Sequence, residues 1–272
     1  MQSLRHAPDA PDIAFRPVEA APPRASRWPV GIFRTDAEFR RRALRRRDAW
    51  WVVLVIDPLA LPVLAVLARI RWVTPMRITA AGALIGAGSV AAFFSGHLVL
   101  GALLFELRYF LDCLDGKLAR VRGVTSARGA FLDFGSDVLL ISAAMAALGW
   151  RLAFHPTGSD HVPIGLSAAC TFACLVLFWL ILYDVEHRAS GTTAAPESRS
   201  GAGAWLHARR MYRLPRTMEV ETLLLFIAPL TGSVLMLEVC FALALTYYTL
   251  ACVHLFLRLV RQLPGPAPDP EG

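Results

Sequence analysis

Lysine is nearly absent from this chain: of its 28 basic residues, Lys117 alone is not arginine. With abundant alanine, that bias reads as GC-rich coding. Charge of either sign is sparse, at 18% of residues, where soluble domains carry about a quarter. An ordinary solvated globule is therefore excluded. The five cysteines, Cys113, Cys170, Cys174, Cys240 and Cys252, are odd in number and lie in or beside apolar runs. They read as small buried hydrophobes, which excludes a disulfide framework or a zinc site. The first residues show no basic n-region followed by an apolar h-region, so no cleavable signal peptide is expected. No internal repeat is visible.

What the chain does have is apolar length. Its 272 residues are 56% hydrophobic with a mean hydropathy of +0.48. Several apolar runs approach the ~20 residues needed to cross a ~30 Å hydrocarbon core. The chain reads as an all-α integral membrane protein. A net charge of +7 suits nucleic acid or anionic lipid, and its distribution around apolar runs favours lipid and membrane orientation. No nucleic-acid partner is expected.

Residues 1–49 are a cytoplasmic tail, Pro-, Ala- and Arg-rich and disordered over 1–34. Thr35-Asp36-Ala37-Glu38 then fits a capping box, opening a helix that carries arginines from Arg40 to Arg47. The stretch 50–70 is nearly long enough to span, but Asp57, Pro58 and Pro62 interrupt it. Spanning and interfacial readings both stand. Basic flanks on both sides (Arg40–Arg47 before; Arg69, Arg71 and Arg77 after) favour a helix lying in the interface.

Six spans follow, near 78–95, 98–113, 130–150, 162–184, 220–236 and 238–261, within a membrane domain at 50–262. A cytoplasmic polar tail at 263–272 completes the chain. With a cytoplasmic N-terminus, the outside connections carry Arg151 as their sole basic residue. Arg120, Arg122, Arg128, Arg188, Arg199, Arg209, Arg210, Arg213, Arg216 and Arg261 all fall inside.

Against that background LDCLDGKLAR at 111–120 and GAFLDFGSD at 129–137 stand out. Asp112 and Asp115 lie on adjoining sides of one helical turn. Asp133 and Asp137, four apart, share a face of the next helix. A helical hairpin brings the four carboxylates together, where they repel one another. An Asp at a bilayer centre costs ~2.5–3.5 kcal/mol, somewhat less at the edge. Hard oxygen ligands suit Mg²⁺, Mn²⁺ or Ca²⁺, and Mg²⁺ commonly keeps positions open for substrate phosphates. Gly116, Ala119 and Gly129 leave space beside the backbone, and Arg120 offers a fork for phosphate. Helix-end charge and capping are the alternative reading; Asp133 fits it weakly, whereas Asp112 sits at the wrong end of its helix dipole.

The pattern Asp112-x2-Asp115-Gly116-x2-Ala119-Arg120-x8-Gly129-x3-Asp133-x3-Asp137 resembles the signature of the CDP-alcohol phosphatidyltransferase family at every fixed position. The resemblance implies six transmembrane helices preceded by an N-terminal interfacial helix, a homodimer in the cell membrane, and a site open to the cytoplasm. Asp112, Asp115 and Asp133 would hold divalent metal. Asp137 would help bind a second ion and act as general base. The metal would be Mg²⁺ or Mn²⁺, two ions in all. Gly116 and Arg120 would contact the CDP moiety, with Ala119 and Gly129 giving it room and Ser126 a further contact. The implied reaction moves a phosphatidyl group from CDP-diacylglycerol, or a related CDP-linked donor, to a small hydroxyl acceptor and releases CMP. Transfer of a CDP-linked headgroup to a lipid alcohol is the alternative within the enzyme class; an inactive scaffold or transporter is the alternative outside it. One departure stands out: the family often shows Pro-Asn-x-x-Thr before the first span, and here it is Pro75-Met76-Arg77-Ile78-Thr79.

Other charges carry two readings each. Arg108, four before Asp112, either serves a structural ion pair with Glu106 or Asp112, or reaches an acceptor phosphate. Lys117 reads as exposed or snorkelling rather than phosphate-bound. Arg209–Arg216 reads as a positive-inside anchor rather than an acceptor site. His155, His161 and His207 read as loop residues.

Overall fold

The computed structural model describes residues 37–154, 201–212 and 217–262; the expected span at 162–184, with His155, His161, Cys170 and Cys174, lies outside them. Among the described residues the architecture is all-helical. A short helix α1 (Ala37–Ala43) precedes a π-helical turn (Val52–Ile56) that runs into α2 (Asp57–Leu67). Three long helices follow: α3 (Pro75–Phe94), α4 (Leu98–Arg122) and α5 (Ala127–Phe154). Then come α6 (Ala202–Ala208) and α7 (Thr217–Thr222), which continues through a second π turn (Leu223–Ile227) into α8 (Ala228–Leu230). The last is α9 (Val234–Gln262).

Both π turns have one local cause. Each ends two residues before a proline, Pro58 and Pro229. A proline has no N–H to give the carbonyl four residues back and its ring clashes with that carbonyl. Widening the preceding turn relieves the clash, and Asp57 and Ala228 donate instead to Val52 and Leu223, five residues back.

Pro75–Phe94, Phe131–Arg151 and Val234–His254 are long and apolar enough to cross a membrane. The apolar helix Val52–Leu67 is shorter, and at ~1.5 Å per residue it falls short of a ~30 Å core. Its Ile56, Ala60 and Leu64 are buried against the bundle, whereas Leu54, Leu59, Val63 and Val66 face outward. The break expected near 236–238 lies instead at Thr231–Ser233, because Gly232 takes a positive φ of 66° and stops the helix there. Glu238 is carried inside α9.

Two apolar clusters meet on α4. Phe93, Phe105, Met145, Leu148, Leu224, Leu237 and Phe241 join α3, α4, α5, the second π turn and α9. Phe39, Ile56, Leu64, Ile78, Leu114 and Leu118 join α1, α2, α3 and α4. Small residues let α3 approach α4: Ser89 Oγ donates to the Gly101 carbonyl at 2.8 Å, and a Cβ on Gly101 would lie 2.5 Å from the Phe93 ring. Thr74 caps α3, accepting from Arg77 N at 3.3 Å, with Pro75 at the first helical position. Arg122 closes the α2–α3 connection, donating to the carbonyls of Leu67 (2.9 Å), Ile70 (2.8 Å) and Val73. Outside the spans, hydrogen bonds from Arg42 and then Arg41 hold Glu38 below the usual carboxylate range.

Candidate metal centre

The turn between α4 and α5 sets the site. Gly123 ends α4 with φ 66°, and Val124 N bonds back to the Ala119 carbonyl at 3.0 Å. Three residues later Ser126 Oγ accepts from Gly129 N at 3.0 Å and starts α5. The chain therefore reverses within residues 123–126, and the two halves of the motif face each other.

Asp112 on α4 and Asp133 and Asp137 on α5 each place one carboxylate oxygen within 4.8 Å of the others. Among the described residues no other trio of His, Cys, Asp or Glu side chains gathers in this way. Asp133 Oδ1 is buried with no hydrogen-bond donor. Such an orphaned oxygen inside a group of three carboxylates fits a divalent cation better than a packed apolar core.

Asp115, the fourth aspartate, stands apart from that trio. Its carboxylate accepts from Thr79 Oγ1 on α3, a hydroxyl that also lies 3.1 Å from the Pro75 carbonyl. Asp115 nonetheless lines the same small cleft as Asp112, Thr79, Arg108 and Ser136, with Gly82 at its α3 wall. Ser136 Oγ donates to the Asp133 carbonyl at 2.8 Å.

Arg108 is the cation of the cleft. It is 3% exposed, forms an ion pair with Asp137, and has its Nη2 3.8 Å from Asp112 Oδ1. Glu106 takes another partner: its Oε1 accepts from Trp51 Nε1 at 2.8 Å. Nearby on α7, Glu221 is buried with Oε1 lacking a donor.

The remaining motif residues are placed as follows. A Cβ on Gly116 would meet only Arg120 Nη1, at 3.5 Å. Arg120 donates its fork to the Ala43 carbonyl at 3.1 and 2.9 Å, fixing the end of α1 against α4. Ala119 is half-buried, and Met76, standing where the family often has Asn, is 54% exposed.

Lys117 departs from its sequence reading. It is 2% exposed rather than snorkelling, and its Nζ lies 3.1 Å from Asp57 Oδ1 on α2. Arg210 reaches the other oxygen, Asp57 Oδ2, at 2.6 Å. Sequence reasoning missed Asp57 and the contact of Thr79 with Asp115. The available signals were a lone carboxylate inside an apolar run and a threonine four residues after Pro75.

A family model described as CDP-alcohol phosphatidyltransferase matches residues 72–257. The chain is 32% identical over 134 residues to the phosphatidylinositol phosphate synthase of Corynebacterium glutamicum, covering 48% of this chain and 58% of that one. It is 34% identical over 97 residues to the Mycobacterium tuberculosis protein of the same name, covering 36% and 42%. The chain thus spans about half the length of these relatives. The Mycobacterium tuberculosis synthase solved with CDP-DAG bound superimposes with a TM-score of 0.54 at 24% identity, covering 78% of this chain and 96% of that one. The same synthase with manganese and citrate gives 0.55 at 23%, covering 78% and 91%. At these identities the likeness is one of fold.

Proposed function

The chain belongs to the CDP-alcohol phosphatidyltransferase family, and on that premise we propose that it transfers a phosphatidyl group from CDP-diacylglycerol to a hydroxyl acceptor, releasing CMP. The observation that carries this reading is the convergence of Asp112, Asp133 and Asp137 around a buried oxygen with no donor.

Asp112, Asp133 and Asp137 would hold the divalent ion, with Asp115 oriented beside them by Thr79. Bound there, Mg²⁺ or Mn²⁺ supplies positive charge against the donor's diphosphate and the departing CMP. Asp137 accepts the proton of the acceptor hydroxyl. The freed oxygen attacks the phosphorus that bears diacylglycerol, the bond from that phosphorus to the CMP oxygen breaks, and CMP leaves with the electron pair. Gly116, Ala119 and Gly129 leave room for the nucleotide near the α4–α5 turn, Arg120 faces its phosphates, and Ser126 contacts it. Those contacts require Arg120 to share its donors between Ala43 and the ligand, which five N–H groups allow.

We place the protein in the cell membrane as a multi-pass homodimer with its termini and site on the cytoplasmic side, and with 50–70 in the interface. Arginine enrichment on one set of connections supports that orientation. The outward apolar face of α2 supports contact with lipid.

The test is CMP release from CDP-diacylglycerol by the purified full chain with Mg²⁺ or Mn²⁺ and a panel of acceptors. An inositol phosphate comes first, given the names of the relatives. Acceptor-dependent CMP, lost in Asp137→Asn, is expected. CMP from CDP-choline and diacylglycerol alone would reverse donor and acceptor. No CMP under any condition would leave a scaffold.

A further inference from the structure

Among the described residues, Arg210 alone other than glycine takes a left-handed backbone, at φ 61°. Crowding at Cβ makes that region unfavourable for a side chain, whereas glycine occupies it freely. An arginine persists there only where its contacts over-determine it. The Arg210 carbonyl accepts from Asp48 N at 2.8 Å, and the Asp48 carbonyl accepts from Tyr212 N at 3.2 Å, a short parallel bridge between 48 and 211. Its guanidinium donates to the Arg45 carbonyl at 2.9 Å and to Asp57 Oδ2 at 2.6 Å. Trp50 extends the contact: its Nε1 donates to the Tyr212 carbonyl at 2.7 Å, and its backbone N to Glu219 Oε1 at 2.5 Å.

The stretch that Arg210 grips is gripped at its other end by the motif arginine. Arg120 donates Nε and Nη2 to the carbonyl of Ala43, a fully buried residue two positions before Arg45. Its remaining nitrogen, Nη1, lies beside Gly116, where an added Cβ would stand 3.5 Å from it. The aim of Nη1 therefore depends on where residues 43–48 are held. Resting on the proposed function, we infer that Arg210 is a positioning residue for the nucleotide: it clamps residues 45–48 so that the Ala43 carbonyl keeps Arg120 Nη1 directed at the space beside Gly116. The clamp needs a fork rather than a point charge, because one nitrogen serves Asp57 while another serves Arg45.

The experiment titrates CDP into detergent-purified full-length protein with Mn²⁺ by calorimetry. The KM values for CDP-diacylglycerol and for the acceptor are measured on the same preparation. Arg210→Gly removes the clamp but suits the left-handed backbone, and Asp57 keeps Lys117, so the chain keeps its fold. Its CDP affinity is expected to fall, and its KM for CDP-diacylglycerol to rise, by about three- to tenfold, as one charge-assisted hydrogen bond loses its aim. The acceptor KM is expected to stay unchanged. Arg120→Gln and the double variant complete a cycle. Because Arg210 acts through Arg120, the double variant should bind CDP no more weakly than Arg120→Gln alone. A merely structural clamp would lower the melting temperature and leave CDP affinity as in wild type.

Unchanged CDP affinity in Arg210→Gly would overturn the role of Arg210 and leave the proposed reaction standing. Strictly additive losses in the cycle, or equal rises in both KM values, would overturn it too. A wild type that neither binds CDP nor releases CMP would overturn both readings. If Arg210→Gly cannot be purified folded, Arg210→Lys decides, since it keeps a charge for Asp57 but has no second nitrogen for the Arg45 carbonyl. A CDP affinity reduced about threefold or more then supports the clamp, and an unchanged one sinks it.

Discussion

Asp57 is the carboxylate whose removal should be felt furthest from the metal centre. It lies on α2 with 5% of its side chain exposed, between Lys117 Nζ on α4 at 3.1 Å and Arg210 Nη2 at 2.6 Å. The Lys117 contact is an ion pair without hydrogen-bond alignment, whereas Arg210 donates properly. Asp57→Ala treats the two cations unequally. Arg210, 29% exposed, can turn to water, but Lys117, 3% exposed, cannot. Leaving one buried charge unpaired costs about 3–5 kcal/mol. For a domain of this size about 2–4 °C of melting temperature goes with each kcal/mol, so a fall of about 6–20 °C is expected.

The assay is thermal unfolding of the detergent-purified chain, followed as a double-mutant cycle with Lys117→Met. The single Asp57→Ala variant should lose most of that stability. The double variant Asp57→Ala/Lys117→Met should recover most of it, because an apolar residue replaces the stranded ammonium. A loss below about 1 kcal/mol for the single variant, or strictly additive losses, would refute the claim that this pair is buried and coupled.

Other outcomes follow from the same geometry. Asp137→Asn should lower acceptor-dependent CMP release by about 10²–10⁴-fold, the usual range for a general base, and should lower the melting temperature as well, because buried Arg108 loses its charged partner. Thr79→Val removes the hydroxyl that orients Asp115; turnover should drop with little change in melting temperature, and unchanged turnover would remove Thr79 from the site. Gly101→Ala drives a methyl into the Phe93 ring and should destabilise by about 1–3 kcal/mol, the range for overpacking, read by the same unfolding assay.

Much of the site was legible before any fold was known, because the spacing within each helix is local. Asp115 follows Asp112 by three positions and Asp137 follows Asp133 by four, so helical geometry alone sets which share a face. Gly123 and Ser126 mark the end of one helix and the start of the next by their own chemistry. Pro58 is likewise readable as an interruption, whereas Pro229 falls inside the expected span 220–236, and the π turns that absorb both were not foreseen. Lys117 was misread because an isolated lysine near a bilayer edge ordinarily reaches for water, and its partner lies 60 residues earlier in the chain.

By itself, then, the sequence determined that the chain enters a membrane, where its long helices run, and that carboxylates gather where α4 turns into α5. These depend on apolar length and on periodicity, which act between near neighbours along the chain. Only the tertiary structure decided that Asp115 faces Thr79 rather than the trio, that Arg108 pairs with Asp137, and that Asp57 joins Lys117 to Arg210. Those pairings depend on the rotation of each helix about its own axis and on its depth against its neighbours. Packing of small residues such as Gly82, Gly86 and Gly101 sets both, and no local pattern encodes that choice.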